Sequence, residues 1–179
     1  MPTWSMATLR EAVAGDESAV ALVHVRSWQA GYRGLIADDR LDALDPAQRA
    51  QRYRFADRDP RAPRTILAVE GGRIVGFATW GHSRVDGQTG AEVLALYVDP
   101  DHWGRGVGSL LHDAVITALR QWPVASAHLW VLEGNRRAQR FYVQRGWRLD
   151  GASRRATVWG ARVSLWRLSR RLEDEPRDR

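Results

Sequence analysis

Apolar and polar positions change rhythm several times along the chain, and each rhythm predicts an element. A short apolar stretch at residues 7–12 reads as an edge strand, and Gly15-Asp16 reads as a turn followed by a helix cap. From Asp16 to about Gln29, Val20, Val23 and Trp28 recur near helical spacing. Asp45-Pro46 is a second helix start, an N-cap with proline at the first helical position, and predicts a helix over residues 47–56. Residues 31–44, acidic and broken by Gly34, read as a loop with a short helix, and 57–64, rich in Arg, Asp and Pro, as a loop.

The pattern then becomes that of a sheet. Residues 65–70 and 73–81 flank Gly71-Gly72, a hairpin signal. Residues 91–98 (AEVLALYV) are nearly unbroken apolar, as in a strand covered on both faces. Past a Gly-rich turn, Val107, Leu110, Leu111, Ala114, Val115, Ala118, Leu119 and Trp122 share one helical face, and Pro123 stops that helix. Residues 126–132 read as another buried strand. Asn135 caps a short helix that turns Ala138, Phe141 and Tyr142 inward, and Gly146 closes it. Two last strands fall near 147–153 and 158–168, and the charged tail 173–179 is expected to be disordered. The result is an α/β (α+β) chain of seven strands and about four main helices, with one domain over residues 1–172.

Composition narrows the chemistry. Apolar residues make up 44% of the 179 and charged residues 27%, so the chain is expected to be globular. No apolar run approaches the ~20 residues of a membrane span, and the N-terminus lacks a signal-peptide pattern. The expected address is the cytoplasm, with no membrane partner. The absence of cysteine removes disulfides, thiolate metal sites and cysteine nucleophiles. All 27 basic residues are Arg, which excludes lysine Schiff bases and a Walker A lysine. Charge is uneven: residues 100–172 carry 13 Arg against Asp101, Asp113, Glu133 and Asp150, a net +9, whereas the remainder is net −3. A basic half suits an anionic ligand, a nucleic-acid face or plain solvation.

Residues 92–109, EVLALYVDPDHWGRGVGS, concentrate the chemistry. A buried strand ends in Asp-Pro, and a glycine-rich turn opens an amphipathic helix. Glycines 104, 106 and 108 let the backbone turn sharply and approach a ligand. The N–H groups of residues 104–109 lie at a helix N-terminus, which suits a phosphate, and Arg105 adds a charge. The spacing is G-x-G-x-G after a fourth strand, unlike the G-x-G-x-x-G of a dinucleotide fold. A purely structural turn would read the same way.

The order of elements resembles the GNAT superfamily of acetyl-CoA-dependent N-acetyltransferases over residues 7–168. Its Q/R-x-x-G-x-G/A motif is matched by Trp103-Gly104-Arg105-Gly106-Val107-Gly108, with Trp103 departing from the usual Gln or Arg. A second motif is matched by Asn135, Ala138, Phe141, Tyr142, Gly146 and Trp147. The resemblance implies a mixed, mostly antiparallel sheet splayed between its fourth and fifth strands, with pantetheine filling the gap. It implies that acetyl-CoA contacts Leu96, Tyr97 and Val98, the turn Gly104, Arg105, Gly106, Val107, Gly108 and Ser109, and Asn135. It further implies Tyr142 as the acid that protonates the leaving thiolate and Glu92 as general base.

His82 and His128 are alternative bases by intrinsic pKa. No metal is expected, because no histidines or carboxylates show ligand spacing. Without a nucleophile motif, direct attack by the amine in a ternary complex is expected rather than a covalent acetyl-enzyme. Trp28, Tyr32 and Trp80 are candidates to wall the acceptor pocket, and Asp38, Asp39, Asp42 and Asp45 to draw a cationic acceptor. The acceptor itself, small molecule or peptide, is not named by these residues. A non-catalytic CoA or acyl-CoA binder, or an Arg-rich nucleic-acid binder, would share many of the features, and the tryptophans would suit a homodimer interface.

Overall fold

The computed structural model describes residues 6–57, 59–84, 89–158 and 160–172. In chain order the elements are β1 (Thr8–Glu11), α1 (Glu17–Gly31), α2 (Asp38–Asp42), α3 (Pro46–Ala50), β2 (Arg64–Glu70), β3 (Arg73–His82) and β4 (Ala91–Val98). After a single 3-10 turn at Pro100–His102 come α4 (Val107–Leu119), β5 (Ser126–Leu132), α5 (Arg136–Val143), β6 (Arg148–Val158) and β7 (Ala161–Arg171). The predicted tail at 173–179 lies outside the described residues.

The strands form one sheet in the order β1-β2-β3-β4-β5-β7-β6. Every pairing is antiparallel except β4 with β5. That parallel pairing is short, running only through Ala91↔Ala127, Glu92↔His128 and Val93↔Leu129. It stops where β4 carries an extra residue: Trp80 of β3 faces Val93 and Thr79 faces Ala95, so Leu94 has no partner on β3. A bulge bends a strand and increases its twist. Here it turns β4 away from β5 and opens the sheet like a V.

Apolar residues cover both faces. On one, Val107, Leu111, Val115 and Leu119 of α4 pack against Ala78, Trp80, Val93, Leu129 and Leu168 of the sheet. On the other, Val20 and Val23 of α1 meet Leu67 and Phe77. Farther along α1, Val25 and Trp28 join Ile36, Leu41, Leu44, Leu132 and Val163. Full burial of a Leu or Phe stabilises by about 1.5–3 kcal/mol, so the two layers clamp the V from outside its opening.

Three expectations need correction. Asp16 stands at the N-cap of α1 but makes no capping bond; its carboxylate accepts from Val13 N–H and from Arg10, which compete for the same oxygens. The α3 helix ends at Ala50 rather than Ala56, and Tyr53 and Phe55 stack on each other beside the Phe77 cluster. Of the last two strands, β6 is longer than read, continuing through Arg154 and Arg155 to Val158, and β7 keeps the expected length but lies three residues later, at Ala161–Arg171. As the edge strand, β6 is largely exposed and needs no alternating apolar pattern. By contrast, the Asp45 and Asn135 caps form as expected, accepting from Ala47 N–H at 2.8 Å and Ala138 N–H at 3.1 Å.

Candidate active site

The V between β4 and β5 is a cleft of about 640 Å³. From Leu94 onward the β4 edge that would pair with β5 is open, and backbone groups of 94–98 face this space. The turn into α4 forms one end of the cleft and the pair Tyr32 and Tyr97 marks the other; α5 runs beside both, Phe141 lying against Gly108 and Arg137 against Gly31.

The turn is held from beneath. Asp99 accepts from Asp101 N–H at 3.0 Å and pairs with Arg26 of α1 at 2.8 Å. The carbonyl of Val98 accepts from both Ser27 Oγ and Trp103 Nε1, each at 2.7 Å. Trp103, the departure from the family motif, is therefore a pin between the turn and the end of β4. Gly104 and Gly106 then adopt φ of 75° and 84°, where a side chain is strained, and a Cβ on either would meet nothing within 4 Å. The glycines serve backbone conformation and leave open space above the helix start.

The first helical bond is Leu110 N–H to Gly106 C=O at 3.0 Å. The N–H groups ahead of it lie at the positive end of the α4 dipole. Arg145 adds a guanidinium there, donating to Ser109 Oγ and to Phe141 C=O and lying 3.9 Å over the Phe141 ring. A bare cradle, a helix N-terminus and a fixed arginine fit a phosphate group. The open β4 edge fits an amide-bearing chain leading from it. The residues present therefore fit acetyl-CoA.

Leu96, Tyr97, Val98, Gly104, Gly106, Gly108, Ser109, Asn135 and Tyr142, all expected at the site, line this cleft together with Tyr32. Two of the residues expected to bind acetyl-CoA do not: Val107 is buried in the core beneath the helix, and Arg105 is exposed outside the lining. Asn135 uses its Oδ1 as the α5 cap and retains its amide group for the cleft. Tyr142 is 9% exposed, with its ring edge-on to Phe141 and Trp147. Burial pushes its phenol well above the ordinary value, Tyr97 adds to the shift and Arg145 opposes it. Tyr142 thus enters any reaction protonated.

At the other end, Tyr32 and Tyr97 bring their hydroxyls 3.5 Å apart. Burial raises both phenols. Trp28 stands edge-on behind Tyr32, with ring centroids 4.7 Å apart, and supports the wall without lining it. Trp80 does not join them, because it lies in the α4-side core. The four acids are also engaged elsewhere. Asp38 and Asp42 pair with Arg33, Asp39 accepts from Arg40 N–H, and Asp45 caps α3; none lines the cleft.

Glu92 sits at the apex of the V, 2% exposed and outside the lining. Its Oε2 accepts from Arg84 N–H at 3.2 Å and lies 3.7 Å from His128 Nε2, which is beyond hydrogen-bond reach. Burial raises the carboxyl, but His128 and Arg84 outweigh it and hold the group at about 2. His82 lies against Trp122, away from the cleft. Sequence reading missed Arg137 and Arg145, whose i, i+4 relation to Phe141 was the available signal.

The Acetyltransferase (GNAT) family model matches residues 25–147. YuaI of Bacillus subtilis, an uncharacterized N-acetyltransferase, is 30% identical over 134 residues, covering 73% of this chain and 74% of its own. An uncharacterized N-acetyltransferase of Mycobacterium bovis, Mb2688, is 32% identical over 139 residues, covering 76% and 85%. Among solved structures, yncA of Salmonella typhimurium, determined with its cofactor acetyl-CoA, superposes with a TM-score of 0.70 at 20% identity, over 98% of this chain and 99% of that one. A splayed seven-stranded sheet, a glycine-rich turn into α4 and these relatives converge: the chain belongs to the GNAT family of N-acetyltransferases.

Proposed function

We propose that the protein transfers an acetyl group from acetyl-CoA to a primary amine by direct attack, with both substrates in the cleft at once. The observation that carries this reading is the placement of Tyr142 inside a cleft that begins at the α4 N-terminus. Acetyl-CoA, when bound, supplies the acetyl group as a thioester. The N–H groups at the start of α4, with Arg145, hold its phosphates, and Asn135 and the open edge of β4 hold the arm that leads from them. A backbone N–H of β4 donates a hydrogen bond to the carbonyl oxygen as negative charge builds on it. One N–C bond forms as one C–S bond breaks, and Tyr142 Oη gives its proton to the departing sulfur.

The amine must also lose a proton. An alkylamine with an ordinary pKa of ~10.4 is mostly protonated at neutral pH. Glu92, buried and outside the lining, does not take that proton itself; water in the cleft takes it and passes it to solvent, while the apex carboxylate, held at about 2, stays ionised.

The test is Tyr142→Phe. Thiol release from acetyl-CoA with an accepted amine is expected to fall in kcat by about 100-fold, the usual scale of a lost general acid, with little change in KM for acetyl-CoA. Unchanged turnover would remove Tyr142 from the mechanism.

A further inference from the structure

Charged groups in the cleft are of one sign. Arg137 and Arg145 line it, and among the described residues no Asp or Glu does. The acids that might have met a cationic acceptor pair with Arg33 or bind backbone N–H groups outside. Arg145 belongs to the phosphate end through Ser109.

Arg137 is different. It projects from the first turn of α5, and its guanidinium carbon lies 3.4 Å from the centre of the Trp103 ring. Its Nη2 is beside Gly31, the last residue of α1, so it stands next to Tyr32 at the aromatic end of the cleft. It has no carboxylate partner among the described residues, whereas Arg10, Arg26, Arg33 and Arg167 each have one. Nor is it loosely placed. Trp103 is pinned to Val98 C=O at 2.7 Å, and the cation–π contact holds the guanidinium plane on that pinned ring. A fixed guanidinium, a lining without acids and a wall made of Tyr32 and Tyr97 disfavour a polyamine and select an anion.

We propose that the acceptor is an amine carrying its own carboxylate, an amino-acid-type substrate, and that Arg137 binds that carboxylate while the amine faces the thioester. The proposal rests on the acetyltransferase reading above and narrows its acceptor. Arg137 would pair with both carboxylate oxygens through its planar fork, a geometry lysine lacks.

The test uses the full-length protein with amino acids, their amides and their decarboxylated amines, plus spermidine, in thiol-release assays and in calorimetry on the CoA-bound protein. The carboxylate member of an accepted set is expected to exceed its amide and its decarboxylated amine by about tenfold or more in kcat/KM, as for a charge-assisted hydrogen bond. Arg137→Gln is expected to abolish that preference through KM, with kcat and acetyl-CoA affinity retained, and Arg137→Lys to restore it in part. Equal use of the three members, or preference for spermidine, would overturn the inference while leaving acetyl transfer intact. Weakened acetyl-CoA binding in Arg137→Gln with unchanged acceptor preference would also overturn it, by placing the guanidinium on the CoA diphosphate. If no member is either bound or acetylated, both readings fall together; binding or turnover without carboxylate preference removes this one alone.

Discussion

The two ends of the cleft are built from different materials. The end proposed to hold the phosphates is mainly backbone: two glycines in the left-handed region, a helix N-terminus and one arginine fixed through Ser109. The end proposed for the acceptor is side chain throughout, with Tyr32 from α1, Tyr97 from β4 and Arg137 from α5, the last lying over Trp103 of the turn. A backbone site needs a conformation, which a short run of residues can encode. A side-chain site needs the fold to bring distant residues together. The first end can therefore recur with little change while the second varies, and one scaffold can pass the same acetyl group to different amines.

The apex of the V, where β4 pairs with β5 outside the cleft lining, offers the largest effect. Glu92 is held at about 2 against an ordinary 4.5 by His128 and Arg84, despite burial. A carboxyl lowered on folding contributes stability that is full above about 4.5 and is lost as pH falls toward 2. Glu92→Gln is expected to reduce unfolding free energy near neutral pH by roughly 3 kcal/mol, the difference shrinking on acidification. Denaturation midpoints measured from pH 7 to pH 3 check this, and a constant difference would mean that the charge does not hold the apex.

A smaller effect separates the ends. Arg145→Gln removes a side-chain cation fixed to the start of α4 through Ser109, and is expected to weaken acetyl-CoA about tenfold, with acceptor KM unchanged. Arg137→Gln is expected to do the reverse. If each variant weakened both substrates equally, the division of the cleft into a backbone end and a side-chain end would fail.

Legibility in the sequence followed the same division. The Gly71-Gly72 hairpin, the apolar β4, the α4 face and the Asn135 cap were all readable because each depends on near neighbours. The β4 bulge at Leu94 was not, since it appears only against β3. Asp16 looked like a cap but chose Arg10, a competition that depends on how β1 is placed. Trp80 and Trp28 looked alike as aromatic candidates, yet the sheet sends one to the α4-side core and the other behind Tyr32. Trp103 read as a departure from the motif, and only the fold shows it pinned to Val98 and carrying Arg137.

The most direct test of the central claim is calorimetric titration of acetyl-CoA into the wild-type protein and into Gly106→Glu, with far-UV spectra confirming that the variant keeps its fold. Glutamate there places a strained backbone and a negative charge in the cradle, at a residue whose φ is 84°. The account predicts binding in about the micromolar range for wild type and a loss of at least about 100-fold in the variant. No wild-type binding, or equal binding by both proteins, would contradict the claim that the α4 N-terminus is the acetyl-CoA site.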